Sequence, residues 1–457
     1  MAENTSDITP AGVAYYPESA SIDKLTLITA SGKEIDLKKI IIEFNYYEDL
    51  YSFSVSGSVT VRDAQGLIER FQISGGEFLK VDFGRVKNSK VNTTRSFRVY
   101  KLGDRKPAEN LNSEFFTLHF CSEELLLSEQ TKISKSYSFQ GAGQEIYKTV
   151  TSILKDELKV KKKLNIEQTN GLYNFIVPRI KPFEAISWLS TYARPLRKQT
   201  AGADMLFFEN KDGFNFRSIR TMLEQKPYRT YNYQQNNTDS TLEQKTTSVL
   251  QYEFVKSYDV LNEINSGTFA NRLISVDPAT RSFKITDFDY EKYKKDSKPA
   301  NGNGVLNGYV NRLGKTDNTS YESVVKVVIG NSEQYKVPYI GEKPGAFAND
   351  IFIENFVPNR TAQIALANYT LVKIVVPGDP NLTVGMTVNF NIYSLAMDGE
   401  NKRLDTYYSG KYLVNAVRHI IQSQGVYQTV MELAKESYES SLQPVNQTPS
   451  LKEAINE

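Results

Sequence analysis

The chain has 457 residues, too many for one small domain, because hydrophobic cores stop growing beyond about 250 residues. Its 55 basic and 53 acidic residues leave a net charge of +2, which argues against a strongly basic nucleic-acid binder. The 28 Tyr and 24 Phe favour strands, so we expect a mainly β fold with α+β parts, spread over roughly two to four domains.

The chain carries one cysteine, Cys121, which cannot form an internal disulfide. Its N-terminus lacks the basic and apolar regions of a secretory signal, so we expect maturation in a reducing cytoplasm. No run approaches the roughly 18 consecutive apolar residues that a membrane-spanning helix needs. No membrane insertion is therefore expected.

In chain order, residues 1–20 are rich in Ser, Thr and Pro and are predicted to form a flexible arm. Residues 21–137 contain several short runs with alternating apolar residues, which predict a first small antiparallel β-barrel or sandwich domain. These runs are "KKIIIEFNYYEDLYSFSVSGSVTVRD", "EFLKVDFG", "SFRVYKLGD" and "EFFTLHFCSEE".

Residues 138–245 are predicted to form an α+β domain followed by a polar linker. Apolar residues at helical spacing predict one helix in "GAGQEIYKTVTSILKDELKV" and a second beginning at Pro182. The stretch "MLFFENKDGFNFRSI" predicts two strands around an Asp212-Gly213 turn. The stretch "TYNYQQNNTDSTLEQ" is polar and is interpreted as a linker or surface loop.

Residues 246–290 and 351–437 are predicted to form a second β-barrel domain. Its segments include "SVLQYEFVKSYDVLNEINSG", interpreted as strands, a helix at "TAQIALANY" and a final hairpin joined at "QSQG". A polar insertion at 291–350, rich in Gly, Asn and Lys, separates the two parts and carries one short strand at "ESVVKVVIG". Residues 438–457 are expected to be a mobile tail.

The candidates for metal binding and nucleophilic catalysis are few. His119 and His419 lie far apart and there is one cysteine, so the ligands for a structural zinc site are lacking. His119 and Cys121 share one face of a predicted strand, and a Cys-His nucleophile pair is the alternative to a small buried cysteine. We favour the buried cysteine, because no helix N-terminus lowers the thiol pKa there.

Other charged motifs also admit plain structural interpretations. Glu123 and Glu124 are placed at a strand end with opposite directions, and no carboxylate pair suited to glycan hydrolysis stands out. Neither a phosphate-binding loop nor a dinucleotide-binding glycine motif occurs, so no cofactor is expected. The cluster "KVKKKLN" after the first helix is interpreted as a solvated helix end, with contact to an acidic partner as the alternative.

Two stretches together resemble a known family. The central one joins "NFIVPRIKPFEAISWLSTYARP" to "MLFFENKDGFNFRSI", and the C-terminal one joins "VVPGDPNLTVGMTVNFNIYS" to "YYSGKYLVNAVRHIIQSQGVYQTVMEL". Their order and spacing resemble the central baseplate hub protein of contractile-tailed bacteriophages, which is related to the hub part of type VI secretion spike proteins. The resemblance spans about residues 25–435, without the 291–350 insertion.

This resemblance implies two similar β-barrel domains per chain and a trimeric ring, which adapts a six-fold tail tube to a three-fold spike. It implies a structural virion protein of the tail baseplate, assembled in the host cytoplasm, with no enzymatic activity. The implied partners are the tail tube protein, a separate spike protein and other baseplate proteins. A tail-associated cell-wall hydrolase and a receptor- or glycan-binding tail component are the alternatives.

Under the resemblance, the motif residues have structural roles. Phe183, Ile186 and Leu189 hold a helix against the aromatic hairpin, and Gly410 opens a strand. His419 shares a strand face with apolar neighbours, Leu413, Val417 and Ile421, so we expect it to be packed in a core or a subunit interface. The full set of motif residues is Pro182, Phe183, Ile186, Trp188, Leu189, Gly385, Gly410, Tyr412, Val414 and His419.

Overall fold

The computed structural model describes most of the chain in thirteen segments. They are residues 20–85, 95–108, 112–138, 143–196, 203–233, 242–278, 281–290, 293, 299–305, 325–329, 356–394, 404–423 and 425–439. The predicted N-terminal arm, most of the predicted insertion and nearly all of the predicted tail lie outside these described residues. The predicted domain boundaries therefore stay predictions.

The first half of the β structure contains seven strands, and the four predicted runs all form strands. They are β1 (Ala20–Ile28), β2 (Glu34–Asp36), β3 (Ile41–Asp49), β4 (Ser56–Asp63), β5 (Phe78–Arg85), β6 (Arg95–Pro107) and β7 (Glu114–Cys121). Two helices interrupt them, α1 (Leu67–Phe71) and α2 (Glu123–Gln130). The strand-end prediction for Glu123 and Glu124 was wrong: both lie in the first turn of α2, where the helix dipole favours acidic side chains.

The next segment folds as an α+β unit, which we define as residues 133–223. Its elements are β8 (Ile133–Tyr137), α3 (Ile146–Ser152), a π-helical turn (Ile153–Glu157), β9 (Lys163–Ile166), β10 (Thr169–Asn170), β11 (Phe175–Ile180), α4 (Pro182–Ser190), β12 (Arg194–Pro195), β13 (Met205–Asn210), β14 (Gly213–Ser218) and α5 (Ile219–Leu223). Both predicted helices are confirmed, and Pro182 occupies the first turn of α4.

The aromatic hairpin is confirmed with its turn one residue earlier than predicted. Asn210 pairs with Gly213, so Lys211 and Asp212 form the loop and Gly213 opens β14. Gly213 has a φ of +131°, and a Cβ there would lie 2.1 Å from the Lys163 carbonyl oxygen of β9. The parallel pairing of β14 with β9 therefore requires glycine at this position.

The second half contains the remaining elements. They are β15 (Thr230–Asn232), α6 (Leu242–Thr246), β16 (Gln251–Lys256), α7 (Val260–Ser266), β17 (Ala270–Asp277), β18 (Ser282–Asp289), β19 (Asn303–Gly304), β20 (Val325–Ile329), α8 (Val357–Ala367), β21 (Thr370–Pro377), β22 (Thr387–Asn391), β23 (Gly410–Gln422), β24 (Tyr427–Lys435) and β25 (Ser437–Tyr438). The helix near residue 361, the short strand of the insertion and the final hairpin are confirmed.

Two predictions in this half were wrong. The segment interpreted as strands contains helix α7, because the Asp259 side chain caps the Asn262 amide at 3.0 Å and Gly267, with a φ of +76°, ends the helix. The polar linker contains β15, which pairs in parallel with β22 through a fully buried Tyr231. Tertiary pairing outweighs the polar composition of that stretch.

One 13-stranded sheet joins both halves. Its main path runs β16-β21-β24-β23-β3-β4-β7-β6-β5-β1-β2, with β22 and β15 branching from β23. The antiparallel ladder between β3 and β23 connects the two predicted barrel domains. The fold is mainly β with several sheets, and none of them closes into a barrel within the described residues, so the two-barrel expectation is not confirmed.

Separate hydrophobic cores lie on the two sides of this connection. The first-half core includes Phe44, Val59 and Phe120, and the second-half core includes Val388, Tyr412 and Leu433. The α+β unit has its own core, and α8 packs over a small sheet of β18, β17 and β20. Among the described residues, no helix combines the length and the apolar character that crossing a membrane requires.

Candidate functional site at the seam and the adjoining groove

The ladder between β3 and β23, which we call the seam, positions His419 and Glu48. It runs from the Glu43–Gln422 pair to the Asp49–Ala416 pair, without interruption. Strand β23 is 13 residues long, so its first part pairs with β22 while its second part reaches β3. The seam therefore fixes the orientation of one half relative to the other.

His419 lies buried in the seam, inside its own chain. Its Nδ1 lies 2.9 Å from the Tyr427 hydroxyl and 3.2 Å from Thr429 Oγ1, and its ring packs beside Tyr46 and Phe83. Burial, together with the nearby positive charges of Arg95 and Lys211, lowers its pKa to about 3. The imidazole is uncharged at neutral pH and is a poor proton carrier there.

One of the apolar residues that were predicted to share a strand face with His419 does not do so. The register of β23 shifts between Val414 and Ala416, so Val414 pairs with Leu433 while Val417 pairs with Met431. Val414 and Val417 therefore share a face, and Leu413 lies on the opposite face. A bulge adds one residue to the strand, and a strict two-residue alternation fails across it.

A second buried group, Glu48, bridges the halves. The Tyr46 hydroxyl donates to Glu48 Oε1 at 2.9 Å, while Thr383 Oγ1 and the Val384 amide donate to Oε2. Burial raises the Glu48 pKa, and the Arg95 guanidinium opposes that rise. A carboxylate of the first half is thus held by donors of the second half.

A third polar cluster joins the first half to the α+β unit. Lys162 Nζ lies 2.6 Å from Glu124 Oε2 and 2.7 Å from Glu209 Oε1, and Glu209 Oε2 accepts from the Val55 amide. Burial lowers the Lys162 pKa, but the two carboxylates outweigh this effect and raise it. The lysine cluster "KVKKKLN" was predicted to be a solvated helix end, and this prediction is therefore wrong for Lys162.

Lys162 lies in a groove of about 820 Å³ between the first half, α2 and the α+β unit. Six basic and five acidic side chains line it, so its charge is nearly balanced and neither anions nor cations are strongly favoured. They are Arg95, Lys159, Lys161, Lys162, Lys163, Lys211, Glu123, Glu124, Glu157, Glu209 and Asp212. Across the described part of the chain, no group of three His, Cys, Asp or Glu side chains suits a metal ion.

The alternative Cys-His pair has no support from its surroundings. Burial, together with the negative charge of Glu209, raises the pKa of Cys121 to about 11. A thiol with this pKa is protonated at neutral pH and is a weak nucleophile. His119 instead packs beside the Tyr100 ring, 6.3 Å between ring centroids.

The motif residues from the sequence occupy three different places. Phe183, Ile186 and Leu189 are buried in the α+β core with Phe214 of the hairpin, and Trp188 is partly buried at its edge. Tyr412 and Val414 lie in the second-half core, whereas His419 lies in the seam. The structure does not bring the motif residues into one site.

Two motif glycines adopt backbone conformations that favour glycine. Gly385 has a φ of +80° and packs against Phe208 of the α+β unit, while Gly410 has a φ of +127° beside Asn301. Sequence reasoning missed Glu48 and Glu209, since a single acid in an aromatic strand does not reveal its burial. The aromatic runs around both residues were the only available signal.

No family model and no curated protein matches the sequence. The 43 kDa tail protein of a Shewanella oneidensis prophage is similar in structure, with a TM-score of 0.51 and 9% identity, covering 90% of this chain and 98% of that chain. A tail protein from Neisseria meningitidis gives a TM-score of 0.49 and 10% identity, covering 90% and 96%.

A component of the E. coli type VI secretion system gives a TM-score of 0.42 and 9% identity, covering 89% of this chain and 76% of that chain. The structural neighbours named here are thus two tail proteins, one of them from a prophage, and a type VI secretion component, and the resemblance seen in the sequence is confirmed at the level of the fold. At such low identity the likeness shows the fold alone, which is that of the Shewanella prophage tail protein.

Proposed function

We propose that this chain is a structural tail protein, the central hub of a contractile-tail baseplate. In this role it forms a trimeric ring that adapts a six-fold tail tube to a three-fold spike. The observation that carries the proposal is the shared fold with the Shewanella prophage tail protein over 90% of this chain and 98% of that chain. The two hub-like motifs of the sequence support the same role.

The seam supports this function mechanically. A trimer of chains with two similar halves presents six units, and six-fold docking requires that the halves keep a fixed relative orientation. The continuous β3–β23 ladder and the bridging Glu48 both restrict such motion. Glu124 of the first half and Glu209 of the α+β unit are both paired with Lys162. These carboxylates therefore support the packing of the α+β unit against the first half.

The partners under this proposal are two further copies of the chain, the tail tube protein, a separate spike protein and other baseplate proteins. The expected location is the virion tail, after assembly in the host cytoplasm. The role is structural, with no cofactor and no catalytic residue.

The proposal is tested by measuring the mass of the purified full chain by light scattering, with negative-stain images in the presence of tube and spike proteins. We expect a particle of three times the chain mass and ring-shaped images. A monomer without rings, at high concentration and with both partner proteins present, would contradict the hub function. Clear lysis in a cell-wall zymogram by the purified chain would favour the hydrolase alternative.

A further inference from the structure

A small pocket lies between the aromatic hairpin of the α+β unit and the turn at residues 383–386, and we call it the hairpin pocket. Its volume is about 200 Å³, which leaves room for a small ion with some water. Among the described residues, Lys163 and Arg217 are the basic side chains of its lining, and the exposed Asp212 is the acidic one. The lining therefore carries a small excess of positive charge.

The strand register places a row of polar side chains on one face of the sheet that borders the pocket. Asn215 of β14 lies opposite Asn165 of β9. Because side chains alternate along a strand, Arg217 shares the face of Asn215, and Lys163 shares the face of Asn165. Phe214, on the opposite face, belongs to the α+β core. The polar row therefore faces away from that core, and all four of its members line the pocket.

The turn at residues 383–386 is held in place on the other side of the pocket. Asn210 Nδ2 donates to the Val384 carbonyl oxygen at 3.4 Å, and Gln225 Nε2 donates to the Gly385 carbonyl oxygen at 2.8 Å. The Val384 amide itself donates to Glu48 at 3.1 Å. These hydrogen bonds fix the walls of the pocket without a ligand.

Arg217 is partly buried in this pocket and has no hydrogen bond or ion pair with another described residue. Burial lowers its pKa, and the charge of Glu167 opposes only part of this effect. Both carboxylate oxygens of Glu167 are already occupied, one by the Ser218 amide at 3.0 Å and the other by the Thr221 hydroxyl at 2.6 Å. Since a guanidinium stays charged in proteins, a partly buried positive charge lacks a partner here.

Two other partly buried arginines show the partner that such a position ordinarily has. Arg229 Nη1 lies 2.9 Å from Asp379 Oδ2, and Arg272 Nε lies 2.7 Å from Asp287 Oδ1. Their side chains are 34% and 29% exposed. In both cases a carboxylate faces the guanidinium, whereas Arg217 faces the pocket.

Two side-chain amides add to the hydrogen-bond donors of the pocket. Asn165 Nδ2 donates to Asn215 Oδ1 at 3.0 Å, and Asn215 Nδ2 donates to the Gly213 carbonyl oxygen at 3.1 Å. Each amide nitrogen carries two hydrogens, so each can donate a second hydrogen bond. The planar guanidinium of Arg217 matches two oxygens of a carboxylate or phosphate group. Charge and donors thus both suit a small anion with several oxygen atoms.

We propose that the hairpin pocket binds one oxyanion, a carboxylate or phosphate group, through Arg217 with support from Lys163. Two sources can supply this group, a free ion or an acidic side chain of another copy of this chain. The inference goes beyond the proposed structural role, because the pocket lies within one chain. A bound oxyanion would join the α+β unit to the turn at residues 383–386.

Calorimetric titration of the full chain with inorganic phosphate and with succinate, at constant ionic strength, tests binding of a free ion. We expect one bound ion per chain and a loss of affinity of at least about tenfold for Arg217→Met, which lacks the charged donors. Arg70→Met is the matched control, because it removes the same charge from an exposed residue outside the pocket. It should bind the ion as the wild type does.

The Tm in a chloride buffer without oxyanions shows whether Arg217 already has a structural partner. Arg217→Met should keep or raise the wild-type Tm, since it removes a partly buried charge that has no partner. A Tm clearly below that of Arg70→Met would show that Arg217 is paired in the free chain and would overturn the inference.

Light scattering distinguishes the two sources of the oxyanion. If the carboxylate belongs to another copy, the wild-type trimer should bind no free ion, and Arg217→Met should lose the trimer while Arg70→Met keeps it. Equal behaviour of the two variants in both calorimetry and light scattering would overturn the inference. A monomeric wild type that binds phosphate through Arg217 would overturn the proposed trimeric function alone.

Discussion

His419 occupies the point in the seam where the two cores meet. Val417, two residues before it, belongs to the second-half core, and Ile421, two residues after it, belongs to the first-half core. A polar ring at this place must find partners inside the protein, and Tyr427 and Thr429 supply them. The histidine therefore serves packing and hydrogen bonding within one chain.

The lowered pKa of His419, about 3 against 6.5, predicts a dependence of stability on pH. Between about pH 6.5 and 3 the unfolded chain binds a proton that the folded chain does not, so stability is lost as pH falls through this window. The slope is up to about 1.4 kcal/mol per pH unit. We expect His419→Gln to flatten this slope in urea unfolding measured from pH 7 to 5.

At pH 8 the free energy of unfolding of the same variant should be lower than that of the wild type by only about 1 kcal/mol, the usual contribution of one hydrogen bond. The mass of the trimer formed by this variant should be unchanged, because the side chain of His419 is buried within its own chain. An unchanged pH slope would contradict the protonation argument, and a selective loss of trimer would place His419 at a subunit interface.

Lys162 provides a second test at the scale of single residues. Lys162→Met leaves Glu209, whose side chain is almost fully buried, without its cation. Removing one partner of a fully buried ion pair costs about 3–5 kcal/mol. Because a third of the Lys162 side chain is exposed to water, we expect a smaller loss, about 1–3 kcal/mol, in the free energy of unfolding, measured by chemical denaturation.

Lys161→Met is the control for this prediction, since it removes the same charge from an exposed neighbour. It should change the stability by no more than about 0.5 kcal/mol. Equal effects of the two variants would show that the Lys162 ion pairs contribute nothing specific.

At the scale of elements, helix α4 links the hairpin to the rest of the α+β unit. Its buried side chains contact β13 and β14, with the Phe183 ring 5.3 Å from Phe207 and 5.6 Å from Phe214 between centroids. Trp188 lies at the edge of this core, where its ring meets Phe175 edge-on at 5.2 Å. The centre and the edge of one helix can thus be compared.

Leu189→Ala should cost about 2–5 kcal/mol, because it empties a fully buried site. Trp188→Ala should cost less than a fully buried aromatic would, since part of the indole already contacts water. We therefore expect Leu189→Ala to lower the free energy of unfolding more than Trp188→Ala does, and denaturation curves of both variants check this order. A larger loss for Trp188→Ala would mean that the aromatic contacts outweigh the buried leucine.

At the scale of the whole molecule, a single sheet crosses the seam. Strands β3 and β23 lie in its interior, whereas β16 and β2 are its ends along the described path. Interior ladders open only with most of the structure, while edges open locally. The two halves are therefore expected to unfold as one unit.

Hydrogen exchange checks this expectation. Amides paired across the seam should exchange among the slowest of the chain and at similar rates on both strands, and amides of β16 should exchange faster. Two separate denaturation transitions, one for each half, would contradict coupling through the seam.

Local signals in the sequence are sufficient to predict most of the elements and the mainly β character of the fold. Period-two apolar runs identified most strands, Pro182 marked the start of α4, and the aromatic runs around Gly213 identified the hairpin. These signals are local, because they depend on neighbours within a few residues. The hub-like motifs added the resemblance in fold.

The way in which distant segments meet is visible in the three-dimensional structure and not in the sequence. The seam pairs Tyr46 with His419, and Glu209 reaches the Val55 amide 154 residues away. The bulge in β23 and the burial of Glu48 and Lys162 depend on which strands and side chains come together in space. No local pattern records such pairings, because burial and register arise from partners that are remote in the sequence.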